Sequence, residues 1–145
     1  MSVQVEIANE ASDELVAGLN QLLPQLSTTA VPLTIADVEA LVSSSATVLF
    51  VARDEGRVVG SLTLVVFAIP TGRRAWIEDV VVDASARGAG VGEALTNAAI
   101  EESRQRHVRS IDLTTRPSRE AANRLYARLG FELRDTNVYR FVIEG

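Results

Sequence analysis

Cysteine and lysine are both absent from this chain, and histidine and tryptophan occur once each. Without cysteine there is no disulfide, no thiolate metal site and no cysteine nucleophile. With one histidine and no cysteine, a metal site has no obvious ligand set, so none is expected. All 14 basic residues are arginine, which in the simplest reading reflects genomic base composition. No apolar run approaches the ~20 residues that span a bilayer. The N-terminus lacks a basic start followed by an apolar stretch, so no export signal is read and a cytoplasmic location is expected. A net charge of −5 argues against non-specific nucleic-acid binding.

What is present fits one globular domain over residues 1–145. Apolar residues make up 47% and charged residues 23%, ordinary for a packed core of this size. Charge is unevenly placed: residues 1–72 hold 8 acids and 2 arginines, residues 73–145 hold 11 acids and 12 arginines. Val3, Val5 and Ile7 alternate with polar residues as in a half-buried strand. Ser12 caps a helix carrying Leu15, Leu19, Leu22 and Leu26, which Pro24 is expected to end or bend. Thr34 and Asp37 form a capping pair for a second helix. Val48 to Ala52 reads as a strand covered on both faces. A turn at Asp54-Glu55-Gly56-Arg57 leads into a returning strand, Val58 to Phe67. Trp76 to Asp83 is the central strand, a helix runs from Val91, and Ile111 to Thr115 is a short strand. Pro117-Ser118 is expected to cap the last helix, with Ala121, Ala122, Leu125 and Leu129 inward. Gly130 reads as its left-handed C′ residue, backed by Phe131. A final hairpin is expected from Phe131–Leu133 and Val138–Val142. This order predicts an α/β protein, a mixed sheet with helices on both faces.

Everything is arranged around Arg87-Gly88-Ala89-Gly90-Val91-Gly92. Three glycines in five positions remove Cβ atoms, so several amide N–H groups can converge on one point. The helix after the loop adds unpaired N–H groups and the positive end of its dipole, a geometry suited to phosphate or pyrophosphate. The spacing is not that of a Walker loop, because Gly92 is followed by Glu93 and Ala94. Nor is it the G-x-G-x-x-G of dinucleotide folds. It resembles the acyl-CoA loop, R/Q-x-x-G-x-G/A, of the GCN5-related N-acetyltransferases, with Arg87, Gly90 and Gly92 filling the pattern. Asn123-Arg124-Leu125-Tyr126-Ala127-Arg128-Leu129-Gly130-Phe131 is similar to a second stretch typical of that family.

The resemblance implies a GNAT-type fold and transfer of an acetyl group from acetyl-CoA directly to an amine, with no metal. It further implies that backbone groups of Val80, Val81 and Val82 hold the pantetheine arm. Arg87, Gly88, Ala89, Gly90, Val91 and Gly92 would hold the pyrophosphate, and Asn123 would contact the CoA chain. Tyr126 would protonate the leaving thiolate; otherwise it is an amphipathic tyrosine at a core edge. Glu78 and Asp79 are acids inside an apolar strand, costly unless paired or used. In a regular strand they face opposite ways, so at most one faces a given pocket, barring a bulge; the resemblance puts the candidate base, acting directly or through water, first at Glu78 and then at Asp79. The leucine-rich helical pair before Thr47 packs the core and, by the resemblance, shapes the acceptor pocket. His107 is read as a surface loop residue. The expected partners are an amine of unspecified identity, no nucleic acid, no membrane, and a second copy in a homodimer, with Tyr139 and Phe141 on an edge strand. With no lysine, the chain cannot acetylate its own lysine side chains. The rival reading is a non-catalytic acyl-CoA-binding or sensing domain.

Overall fold

The computed structural model describes residues 2–144, which divide into two compact units, one up to Leu113 and the other from Thr114. In the first unit the elements run β1 (Val3–Ile7), α1 (Asp13–Leu26), α2 (Ile35–Ser43), β2 (Thr47–Asp54), β3 (Arg57–Ile69), β4 (Gly72–Val82), a 3-10 turn (Ala84–Ala86), α3 (Val91–Gln105) and β5 (Ser110–Asp112). The five strands form one sheet in chain order. β1 to β4 are antiparallel, and β5 is parallel to β4. The mixed α/β sheet expected from the sequence is what the chain forms.

Alternation along β2 sends side chains to both faces, and both are covered. Leu49 and Val51 join Leu15, Leu19, Leu22 and Val38 of α1 and α2 in one core cluster, with Val58 and Val81. On the opposite face lies α3, whose Val91, Leu95 and Ala99 are at most 1% exposed. A Cβ added at Gly60 of β3 would come within 2.8 Å of Val91 Cγ1. The glycine there therefore lets α3 sit close on the sheet.

The starts of α1 and α2 agree with the sequence signals. Leu15 N–H donates to Ser12 Oγ at 3.1 Å. Thr34 and Asp37 form a complete capping box, in which each backbone N–H donates to the other's side chain. Pro24 does not end α1, which continues to Leu26 and closes with Ser27 N–H donating to Leu23 O. The α1–α2 connection is pinned by Asn20, whose amide donates to Leu33 O at 3.0 Å and accepts from Leu33 N–H at 2.8 Å. The hairpin turn is as expected, with Glu55 and Gly56 both at positive φ, the requirement of a type I′ turn.

In the second unit α4 spans Glu120–Arg128 and carries no fully buried residue. Its N-cap is Arg119, with no side-chain cap bond, so Ser118 does not play the expected capping part. At the other end the sequence reading holds. Gly130 has φ 103, its N–H donates to Ala127 O, and Phe131 N–H donates to Tyr126 O at 2.9 Å. That pair of bonds is a Schellman motif.

The expected final hairpin does not form: residues 131–144 have no regular secondary structure. Val138, Tyr139, Phe141 and Val142 are between 69% and 88% exposed. The alternating pattern is there, but among the described residues no strand supplies the ladder hydrogen bonds it needs.

Candidate functional site

β4 is not a regular strand where the two acids lie. Its register against β3 runs Thr63 to Glu78 and then Ser61 to Val81, so β4 has one extra residue there. The surplus falls at Asp79, which has φ 50. Such a bulge reverses the alternation beyond it. Glu78 pairs with Thr63 on the α1/α2 side, and Val81 returns to that same side to join the core cluster. Asp79 is the residue displaced from the ladder. Both acids are exposed. The expectation that they face opposite ways in a regular strand is thereby replaced.

On its other side β4 pairs with β5 only from Arg74 to Trp76. Beyond Trp76, among the described residues, no strand lines that edge, so the segment through Val80, Val81 and Val82 has an open flank. It leads through the 3-10 turn into the glycine loop. Gly88 and Gly90 have φ 84 and 79, conformations that favour glycine. A Cβ at either would meet nothing within 4 Å, so the loop faces open space. Gly90 is the N-cap of α3 and offers no side-chain cap. The first-turn N–H groups of Val91 and Gly92 therefore lack the usual intrahelical and capping partners, as an anion site at a helix N-terminus requires. Ala89 N–H is already donated to Ala86 O at 3.3 Å. Arg87 turns its Nε back to Val82 O at 3.4 Å. The residues present thus fit a phosphate-bearing ligand.

Asn123 and Tyr126 both lie on α4, in the second unit. The Asn123 amide is already engaged, donating to Arg116 O and Arg119 O at 3.0 and 2.8 Å, which secures the start of α4. The Tyr126 ring packs edge-to-face on Phe131, with centroids 5.7 Å apart and planes at 66°. Burial pushes its phenol above the ordinary value of 10.0, with Arg119 working weakly against it. At neutral pH it therefore carries its proton. His107 is exposed with φ 59, closing α3 as a left-handed residue, in keeping with a surface loop.

Two features escape sequence reasoning. One is the polar junction where β4 enters the loop. Asp83 accepts from Gln25 Nε2 at 2.8 Å, from Ser85 N–H at 3.0 Å and from the Ser85 hydroxyl, with Arg57 at 3.8 Å. The Ser85 and Gln25 hydrogen bonds lower its pKa to about 2. The other is a groove of about 550 Å³ between β1 and α3, floored by Val5, Phe50 and Ala98. It contains no predicted site residue. Its acids Glu6, Glu101 and Glu102 are each paired, with Arg53, Arg104 and Arg106.

A strand with an open flank, a glycine loop and a helix N-terminus in unbroken succession are the geometry expected for acyl-CoA binding. The family model described as "Acetyltransferase (GNAT) family" matches residues 16–131. The chain belongs to the GNAT acetyltransferase family. An uncharacterized N-acetyltransferase of Methanocaldococcus jannaschii is 41% identical over 56 residues, 39% of this chain and a quarter (25%) of that relative's length. Among solved structures, an acetyltransferase of Trypanosoma brucei is 27% identical with a TM-score of 0.80, covering 97% of this chain and 100% of its own. A transcriptional regulator from Bacillus halodurans C-125 is 26% identical, also with a TM-score of 0.80 and the same coverage. The GNAT fold read from the glycine loop is thus the fold of the chain. Among the described residues no helix is long and apolar enough to cross a membrane, and no group of acids and histidine could hold a metal ion.

The Asp83 junction gives a pH dependence. A carboxylate held at about 2 against an ordinary 3.8 contributes stability that is complete above its unfolded-state value. That contribution is lost as pH falls through about 2. Urea unfolding of Asp83→Asn and the wild type should therefore differ by a constant amount above pH 5. The gap should narrow steadily from pH 4 towards pH 2; a gap independent of pH would show that the junction is not electrostatic.

Proposed function

We propose that this GNAT protein transfers the acetyl group of acetyl-CoA directly to a primary amine bound beside it. The observation that carries the reading is the open edge of β4 running into the loop with Gly88 and Gly90 at positive φ. Backbone groups of Val80, Val81 and Val82 hold the pantetheine arm in the manner of an added strand. Within the loop from Arg87 to Gly92, the amides of Gly88, Gly90, Val91 and Gly92 hold the pyrophosphate, those of Arg87 and Ala89 being donated to Ala84 O and Ala86 O. The amine nitrogen attacks the thioester carbonyl carbon, the carbon–sulfur bond breaks, and the thiolate takes a proton. With no cysteine in the chain, no cysteinyl thioester intervenes, and the rate comes largely from positioning two substrates together.

Glu78 takes the amine proton, directly or through water. Its support is exposure on the α1/α2 side of the sheet, whereas the bulge displaces Asp79 from the ladder. Tyr126 gives a proton to the thiolate; burial keeps the phenol in its neutral, proton-bearing form. Asn123 contributes to CoA binding through its carbonyl oxygen, because both amide hydrogens are already engaged. The acidic first half of the chain and the exposed α1–α2 connection, with Val31 78% exposed, favour a cationic acceptor carrying some apolar surface. The whole chain acts as one catalytic domain, working in the cytoplasm. A homodimer is also proposed, on the strength of the exposed apolar residues Leu133, Tyr139, Phe141 and Ile143. Light scattering should give twice 15.6 kDa at micromolar concentration, and the monomer mass would remove the proposal.

Calorimetry with CoA tests the loop. Gly90→Val should abolish binding, because valine disfavours φ 79 and shifts the loop backbone away from the anion-binding shape, while the exposed position leaves the core packed and the protein folded. Unchanged affinity in a folded variant would defeat the assignment. The chemistry is tested by thiol release with acetyl-CoA and a panel of amines. Glu78→Gln should slow the reaction most at low pH, where the acceptor is protonated, and recover partly as pH rises. Tyr126→Phe should lower kcat with little change in KM for acetyl-CoA, each defect lying on the order of the 10²–10⁴-fold typical of acid–base catalysis. A Tyr126→Phe enzyme with full kcat would reduce the phenol to packing. No turnover with any amine, alongside tight CoA binding, would favour a sensing domain.

A further inference from the structure

The glycine loop has an anchor outside itself. Its entry, Asp83 to Ala86, is gripped from two elements distant in sequence. From α1, Gln25 donates Nε2–H to Asp83 Oδ1 at 2.8 Å and accepts Ala84 N–H on Oε1 at 2.9 Å. From β3, Arg57 donates to Ser85 Oγ at 3.1 Å and lies 3.8 Å from Asp83 Oδ2. Asp83 N–H in turn donates to Val59 O at 2.8 Å, and Ala86 is 1% exposed.

Gln25 thus uses both ends of its amide on consecutive residues, a two-point grip that fixes orientation as well as position. Past Ala86 the chain enters a segment with little side-chain packing of its own, from Arg87 to Gly90, all exposed. Glycine loses more conformational freedom on ordering than any other residue. A backbone anion site gains affinity when that ordering is done before the ligand arrives.

We infer that Gln25 is a positioning residue for the CoA pyrophosphate, preorganising the glycine loop through Asp83 and Ala84 without touching the ligand. The inference rests on the proposed CoA reading of the loop. Gln25 is exposed, so replacing it removes no core packing and the fold persists. Arginine could not take its place, because it has no acceptor for the Ala84 N–H. Glutamate could keep that acceptor but would set a second carboxylate against Asp83.

Calorimetric titrations with CoA, and separately with adenosine 3′-phosphate 5′-diphosphate, should be run on the wild type, Gln25→Ala and Gln25→Glu. CoA affinity should fall roughly five- to tenfold in Gln25→Ala, the scale of one net hydrogen bond, and at least as far in Gln25→Glu. The same factor should appear with the diphosphate fragment, because the effect acts at the pyrophosphate. Amide hydrogen exchange across residues 84–92 should quicken in Gln25→Ala with no ligand present, which a role confined to global stability would not produce. Wild-type binding matched by Gln25→Ala overturns the inference alone, as does a loss with CoA that vanishes with the fragment. A wild-type protein that binds neither ligand overturns the CoA reading and this inference with it.

Discussion

Between Thr63 and Ser61 strand β3 moves two residues while β4 moves three, from Glu78 to Val81, and the surplus is stored at Asp79. A non-glycine residue at φ 50 costs about 1–2 kcal/mol, though aspartate tolerates it better than most. The surrounding structure holds it there because both flanks of β4 are fixed. Ala75 and Ile77, at 0% and 3% exposure, are packed before the bulge, and Val81 is packed after it. In a regular strand Glu78 and Val81, three residues apart, would face opposite ways, and Val81 could not join the leucines of α1. The bulge thus keeps a charged residue and a core valine on one face of the same strand.

The same strand also changes neighbours along its length. Its first half is paired on both sides and its second half on one side only, because β5 is three residues long. The open half leads without interruption to Asp83, the 3-10 turn and the N-terminus of α3. Rigidity is supplied by what packs beneath: Val91, Leu95 and Ala99 of α3 against the sheet, with Gly60 admitting the helix closely.

Much of this was legible in residue order, and what was not has an identifiable cause. Local signals carried through: the capping box at Thr34 and Asp37, the left-handed Gly130 with Phe131 behind it, the turn at Glu55-Gly56, and the glycine loop opening a helix. Each depends on atoms within a few residues of one another. The bulge at Asp79 was not legible, because register is a property of two strands and only one was being read. Gln25 and Asn20 were missed for a related reason. Their partners, Asp83 and Leu33, stand 58 and 13 residues away, and nothing in a glutamine's neighbours announces a distant acceptor. The final hairpin erred the other way. Alternation at Val138 to Val142 describes a chain able to pair, and pairing also needs a free strand beside it.

The bond between Asn20 and Leu33 closes a ring of chain between α1 and α2, and Gln25 lies inside α1, ahead of the exposed stretch 27–32. Insertions in that stretch would lengthen a closed loop whose two ends stay fixed, and each doubling of a flexible loop costs only about 0.6 kcal/mol. The molecule can therefore vary the size and reach of one surface segment while the geometry of β4 and of Asp83 to Gly92 stays constant. A lineage built on this plan can diversify at its rim and conserve its centre, with two hydrogen bonds from a single asparagine marking the border.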